Sequence, residues 1–260
     1  MIGYSDEGFY DAPVLILIHG FPFNRTMWDK QVEVLNENYR VIAYDVRGHG
    51  NSDAGNGDFS IGLFARDLIS LMDSLKIEKA IICGLSMGGY IALNAYENYP
   101  ERINALILCD TTCKADTPRE IEKRMKAIES IRESGVEAYV DGGLKNFFAR
   151  ESFKTKKDVI AEVRQMMVNT GENTLVETLL ALSKRKETCS KLSEIKVPVL
   201  LIVGKEDMIT PPEAATFMHH KIKGSVLCII EHAGHISNME NRIMFNEHLT
   251  EFVALVYKDN

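Results

Sequence analysis

No basic run in the 260 residues is longer than Lys184-Arg185-Lys186, and the net charge is −7. Nucleic acid is held mainly by clustered cations that neutralise phosphates, so no nucleic-acid partner is expected. Long apolar runs are missing too. Stretches such as Val14-Leu15-Ile16-Leu17-Ile18 fall far short of the roughly 20 residues that span a bilayer. Residues 1–13 contain acids and glycines but no apolar signal core, which predicts a soluble, cytoplasmic protein with no membrane partner. Cysteine is scarce and unpatterned. The five (Cys83, Cys109, Cys113, Cys189, Cys228) are odd in number and include no Cys-x-x-Cys, so free thiols in a reducing compartment are expected rather than a disulfide scaffold. Metal-ligand clusters are absent as well. His232 with His235, and His219 with His220, are superficial pairs that no cysteine or acid cluster joins.

What remains is an ordinary globular composition, 45% hydrophobic and 26% charged, enough for one large core or a core with an insert. Strand-like runs at 14–18, 40–44, 80–83 and 105–109, apolar throughout except for Arg40, alternate with helical stripes. Trp28, Val32 and Leu35 mark one helix, and Trp28 is expected to pack it against the sheet. Ile61, Phe64, Leu68, Leu71 and Leu75 mark a second, with Asp58 or Ser60 as its cap. This rhythm predicts a mostly parallel sheet flanked by helices. It breaks after Cys113. From Thr117 to Glu194 only helical patterns occur, at 118–133, 136–149, 156–169 and 173–186. Strands resume at 197–203 and 225–231, with a closing helix lined by Phe245, Leu249, Phe252, Val253 and Val256. A helix is expected from Thr210, with Pro211 at its first position and Glu213 completing a capping box. The organisation read here is an α/β core of residues 1–113 and 195–260 carrying a helical cap at 114–194.

Gly84-Leu85-Ser86-Met87-Gly88 falls between a strand and a helix. In that setting Gly-x-Ser-x-Gly forms a sharp turn that exposes the serine hydroxyl. Asp207, in Gly204-Lys205-Glu206-Asp207, and His235, in His232-Ala233-Gly234-His235, follow two later strands. Open α/β sheets place ligands at that carboxyl edge. A serine hydroxyl needs an imidazole to take its proton, and a carboxylate to orient the imidazole. Ser86, His235 and Asp207 are therefore the candidate catalytic residues. Backbone N–H groups must also meet the developing oxyanion. Met87, next after the serine, supplies one. His19-Gly20-Phe21-Pro22 supplies the other through Phe21, because Pro22 has no N–H.

Asp110 also ends a strand and is the rival acid, whereas Glu206 reads as a solvated loop charge. His232 reads as structural, His49 as a turn stabiliser and His19 as a backbone organiser. Met125, Tyr139, Phe147, Phe148, Met166 and Met167 either line an acyl pocket or form the cap's own core. Residues 114–196 hold 17 Lys+Arg against 14 Asp+Glu, and the rest of the chain 13 against 23. A mildly basic cap could steer a carboxylate-bearing substrate, though solvated helix faces explain the same charges.

These stretches, with Asp45-Val46-Arg47-Gly48-His49-Gly50-Asn51-Ser52-Asp53, resemble the α/β-hydrolase superfamily. The similarity is to its capped esterase branch, which includes 3-oxoadipate enol-lactonases, carboxylesterases and non-haem haloperoxidase-like enzymes. The resemblance implies the α/β-hydrolase fold, no metal or other cofactor, and a small-molecule ester or lactone substrate cleaved through an acyl-enzyme. The same three side chains could instead cleave carbon–carbon bonds of diketone ring-fission products, or transfer acyl groups to peroxide. A non-enzymatic receptor on this fold is disfavoured because all three residues are present. Two departures stand out. Only Ile2 to Ser5 precedes the Glu7-Gly8 turn where relatives carry two strands, and Asn241-Arg242 follows Glu240 where relatives often carry a proline.

Overall fold

The computed structural model describes residues 1–258. Seven strands, β1 (Tyr4–Glu7), β2 (Val14–Ile18), β3 (Arg40–Tyr44), β4 (Ala80–Leu85), β5 (Ile103–Cys109), β6 (Val199–Gly204) and β7 (Val226–Ile230), form one sheet in the order β1-β3-β2-β4-β5-β6-β7. Only the edge strand β1 is antiparallel, against β3. It is the one N-terminal strand, as the short segment before Glu7-Gly8 implied.

Alternation along each strand sends its apolar residues to two covers. Ile16, Ile18, Ile42 and Ile82 pack on the face holding α2 (Ile61–Ser74) and α3 (Met87–Asn98). Leu15, Leu17, Val41 and Ile81 pack on the face holding α1 (Asp29–Leu35) and the closing helix (Arg242–Lys258). Trp28 is fully buried there against Phe245.

Four helices lie between β5 and β6: α4 (Pro118–Gly143), α5 (Ser152–Thr155), α6 (Lys157–Val168) and α7 (Glu172–Ser183). The break expected between helices 118–133 and 136–149 is present as a kink within α4 at Gly135, whose non-helical φ of 85° and ψ of 169° only glycine adopts cheaply. That element starts on a capping box made by Thr117 and Glu120, and ends at Gly143 rather than at 149. Between β6 and β7 runs α8 (Pro212–Lys221), and α9 (Ser237–Glu240) precedes the closing helix, α10. The capping box expected at Thr210 and Glu213 does not form. Pro211 is the N-cap, without a side-chain bond, because the Thr210 hydroxyl is committed elsewhere.

The expectation of free thiols is also corrected: Cys113 and Cys189 form a disulfide. The two lie 76 residues apart, and no local spacing announces them. They meet because β5 and β6 are neighbours, so the insert leaves and re-enters the core at one place. The Thr188 N–H donates to the Cys113 carbonyl at 2.8 Å across that junction. Cys83 and Cys109, fully buried on adjacent strands, and Cys228 remain thiols. No helix among the described residues is long and apolar enough to cross a membrane.

Candidate active site

The turn from β4 into α3 leaves its backbone almost no room. Ser86 has φ 53° and ψ −111°, a region that costs a non-glycine residue about 1–3 kcal/mol. Its surroundings impose the conformation. A Cβ on Gly84 would lie 2.2 Å from the Gly88 carbonyl oxygen, and one on Gly88 would lie 2.3 Å from that of Ile18. Both glycines are therefore required by backbone approach alone. The Ser86 N–H donates to the Cys109 carbonyl, and its own carbonyl accepts from Gly89 N–H and the Thr111 hydroxyl, each at 2.8–2.9 Å. The turn is braced from β5, and its hydroxyl is left for other partners.

The loops after β6 and β7 bring Asp207 and His235 to that hydroxyl. His235 Nε2 lies 2.8 Å from Ser86 Oγ, and Nδ1 lies 2.8 Å from Asp207 Oδ2. The assignment that fits these partners puts the proton on Nδ1, leaving Nε2 to accept from the serine. All three side chains are buried. Burial opposes the imidazolium, but the Asp207 carboxylate outweighs it and raises the His235 pKa above its ordinary 6.5. Burial likewise opposes ionisation of Asp207. The His235 charge and hydrogen bonds from His235 and Thr210 prevail, so its pKa is lowered.

Thr210 is a residue that sequence reasoning placed in the wrong role. Its N–H donates to Asp207 Oδ1 at 3.0 Å, beside the Ile209 N–H at 2.8 Å, and its hydroxyl donates to Oδ2 at 2.8 Å. The hydroxyl also stands 3.2 Å from His235 Nδ1. The carboxylate thereby has four donors around it, His235 among them.

Asp110, the rival acid, makes no hydrogen bond to His235. Its Oδ1 accepts from Gly204 N–H, and its Oδ2 from the N–H and hydroxyl of Ser237. Burial, followed by the Asp207 charge, pushes its pKa up to about 8. It joins the root of the Asp207 loop to the residue two past His235. Glu206 is exposed and accepts from the Arg150 N–H. His232 is exposed as well, 3.8 Å from Glu151.

The Phe21 and Met87 N–H groups are not bonded to any described acceptor. His19 holds the loop that presents Phe21. Its Nε2 accepts from Val46 N–H, and Nδ1 lies 2.8 Å from the Gly20 carbonyl. Burial lowers its pKa to about 4, so the ring is neutral near pH 7. His49 packs 5.1 Å away, and burial together with His19 lowers its pKa to about 3.

The insert reaches the histidine through the segment after α4, and on the other side it packs on Phe21 and bonds the Pro22 carbonyl through the Thr170 hydroxyl. His235 N–H donates to the Phe147 carbonyl, and the Phe147 ring lies 5.9 Å from the imidazole. Phe148, Met166 and Met167 are buried with the α1/α10 face, Tyr139 packs against both that face and the cluster between α4 and α7, and Met125 packs on the latter alone. Of the six candidates for lining a pocket, Phe147 touches the histidine. Glu240, almost fully buried, is the residue whose role the sequence did not disclose. Its Oε1 accepts from Ala149 N–H and the Ser152 hydroxyl, and its Oε2 from Gly234 N–H. One carboxylate ties the insert to the residue before His235.

A family model described as "alpha/beta hydrolase fold" matches residues 13–242. 3-Oxoadipate enol-lactonase 2 of Acinetobacter baylyi is 29% identical over 252 residues, covering 97% of this chain and 92% of that protein. A thermophilic esterase from Thermogutta terrifontis superposes with a TM-score of 0.94 at 32% identity, covering 98% and 93% of the two chains. The enol-lactonase from Burkholderia xenovorans LB400 gives 0.91 at 29%, covering 97% and 96%.

Proposed function

The chain belongs to the α/β-hydrolase fold family, and we propose that it hydrolyses small carboxylic esters or lactones through Ser86, His235 and Asp207. The observation that carries this reading is the unbroken line of hydrogen bonds from Ser86 Oγ through the imidazole to Asp207. Ser86 Oγ attacks the acyl carbon while its proton passes to His235 Nε2. The carbonyl oxygen takes the negative charge and meets the free N–H groups of Phe21 and Met87. His235 then returns the proton to the departing alkoxide, leaving an acyl-serine. Water attacks that ester, giving a proton to Nε2, and the proton goes back to Ser86 as the acid leaves. Asp207 remains ionised throughout, held by Thr210 and Ile209. Residues 114–194 act as a cap over this edge of the sheet, with Phe147 against the imidazole.

A fluorophosphonate probe tests the nucleophile. Labelling of the wild type at Ser86, with none in Ser86→Ala, is expected, and labelling elsewhere or nowhere refutes the reading. Turnover on p-nitrophenyl esters of graded chain length and on lactones, set against diketones and against peroxide with a free acid, separates hydrolysis from carbon–carbon cleavage and perhydrolysis.

A further inference from the structure

A cavity of about 350 Å³ lies apart from the proposed reaction centre, and none of Ser86, Asp207, His235, Phe21 or Met87 borders it. It opens between the first turn of α2, the outer side of α3, and the two junctions where the insert joins the core. At that size it is at the small end of ligand sites.

Cations outnumber acids in its lining, four to two. Lys114, Lys184 and Lys186 border it and form no ion pair, and Arg185 supplies a fourth cation. The facing acids are Glu97 and Glu187, and Glu187 already accepts the Ser190 N–H. Arg185 is built in. Its side chain is only 6% exposed, bonds Asp116 and the carbonyls of Leu182 and Lys114, and lies over the Tyr90 ring. Its Nε is buried and has no partner. Cations after α7 also complement that helix's dipole, and Lys114, from the opposite junction, has its Nζ 5.3 Å from the centroid of the Phe217 ring.

Donors converge from the core side. The Ser60 hydroxyl accepts from Leu63 N–H and its carbonyl from Phe64 N–H, leaving the N–H groups of Ile61 and Gly62 unbonded at the start of a 14-residue helix. Such N–H groups favour an anion. The remaining walls mix polar side chains, Ser60, Asn94, Thr112 and Thr188, with apolar and aromatic ones such as Ile61, Tyr90 and Ala181. We propose that this cavity binds a small carboxylate with an apolar stem, the carboxylate between the α2 N-terminus and the lysines and the stem along Tyr90. The ligand would span core and insert.

Gly62 gives a clean probe, because a Cβ there meets nothing closer than 3.8 Å and a longer side chain enters the cavity beside Asn94. Calorimetric titration at low ionic strength with glutarate and benzoate, against glutaramide and benzamide, is the test. Saturable binding of the acids but not the amides is expected. It should weaken at least tenfold in Gly62→Leu and in Lys184→Ala/Lys186→Ala, with p-nitrophenyl ester turnover unchanged in both. Glutarate should also raise the melting temperature of the wild type and not that of Gly62→Leu. Equal binding by acid and amide, binding undiminished in Gly62→Leu, or no saturation up to about 10 mM overturns the proposal. Because the readout is binding, these results are independent of whether Ser86 is the nucleophile.

Discussion

Breaking the bond between Cys113 and Cys189 should destabilise the protein by several kcal/mol without changing its chemistry. The bond closes a loop over a sequence separation of 76 residues. Cross-linking a loop of that length removes an entropy of about 15 cal/mol/K from the unfolded chain, or about 4.5 kcal/mol at 25 °C. Compact denatured states reduce the gain, so about 3–4 kcal/mol is a realistic expectation. For a chain of this size that corresponds to a fall in melting temperature of roughly 6–8 °C. Scanning calorimetry with and without a phosphine reductant measures it, and Cys113→Ala/Cys189→Ala gives the same comparison without reductant. The urea m-value should rise on reduction, because an uncrosslinked unfolded chain exposes more surface. Thiol titration of the denatured, unreduced protein should find three of the five cysteines reactive. Five reactive thiols there, or an unchanged melting temperature once reduction is verified, would refute the reasoning. Ester turnover at 25 °C should be indifferent to the bond, since neither sulfur touches the proposed reaction centre.

Replacing Asp207 with Asn should lower kcat by about 10⁴, while Asp110→Asn should cost far less. The reverse ranking would move the acid role to Asp110. The pH profile of kcat/KM should fall on its acid side with an apparent pKa above 6.5, because His235 must be neutral to accept a proton and Asp207 raises its pKa. In Asp207→Asn that limb should shift downward, and an unshifted limb would contradict the pairing. Glu240→Ala strands three buried donors and should destabilise by about 3–5 kcal/mol. Glu240→Gln should recover much of the stability, and equal loss in both would argue against a hydrogen-bonding role.

The sheet was readable because fully covered parallel strands are continuous apolar runs, and each run at 14–18, 40–44 and 105–109 coincides with or falls within a strand. Ser86, Asp207 and His235 stood out because short turns at strand ends put residue type and position in the same few letters. The misses share a different cause. Thr210 looked like a helix cap because its neighbours Pro211 and Glu213 fit that pattern, yet a carboxylate three residues upstream competes for its hydroxyl and wins. The partners of Glu240 lie about 90 residues away in the insert, and those of Asp110 come from the loops of two other strands. The cysteine pair was invisible for the same reason: its pairing is a property of sheet order, not of spacing. The helical break between 133 and 136, by contrast, falls where expected, at Gly135, whose non-helical φ of 85° kinks α4.

The grip of Glu240 on Ala149, Ser152 and Gly234 sets limits on how specificity could be re-engineered. Exchanging the whole insert for one from another enzyme would discard the contacts that hold the histidine loop, so a chimera needs residues 147–152 carried over intact. Helices α4 and α7 make no hydrogen bond to that loop among the described residues, and Lys156, just ahead of α6, is a further anchor to be kept. Libraries aimed at new substrates should therefore vary α4 and α7 first, where no side chain bonds the histidine loop directly.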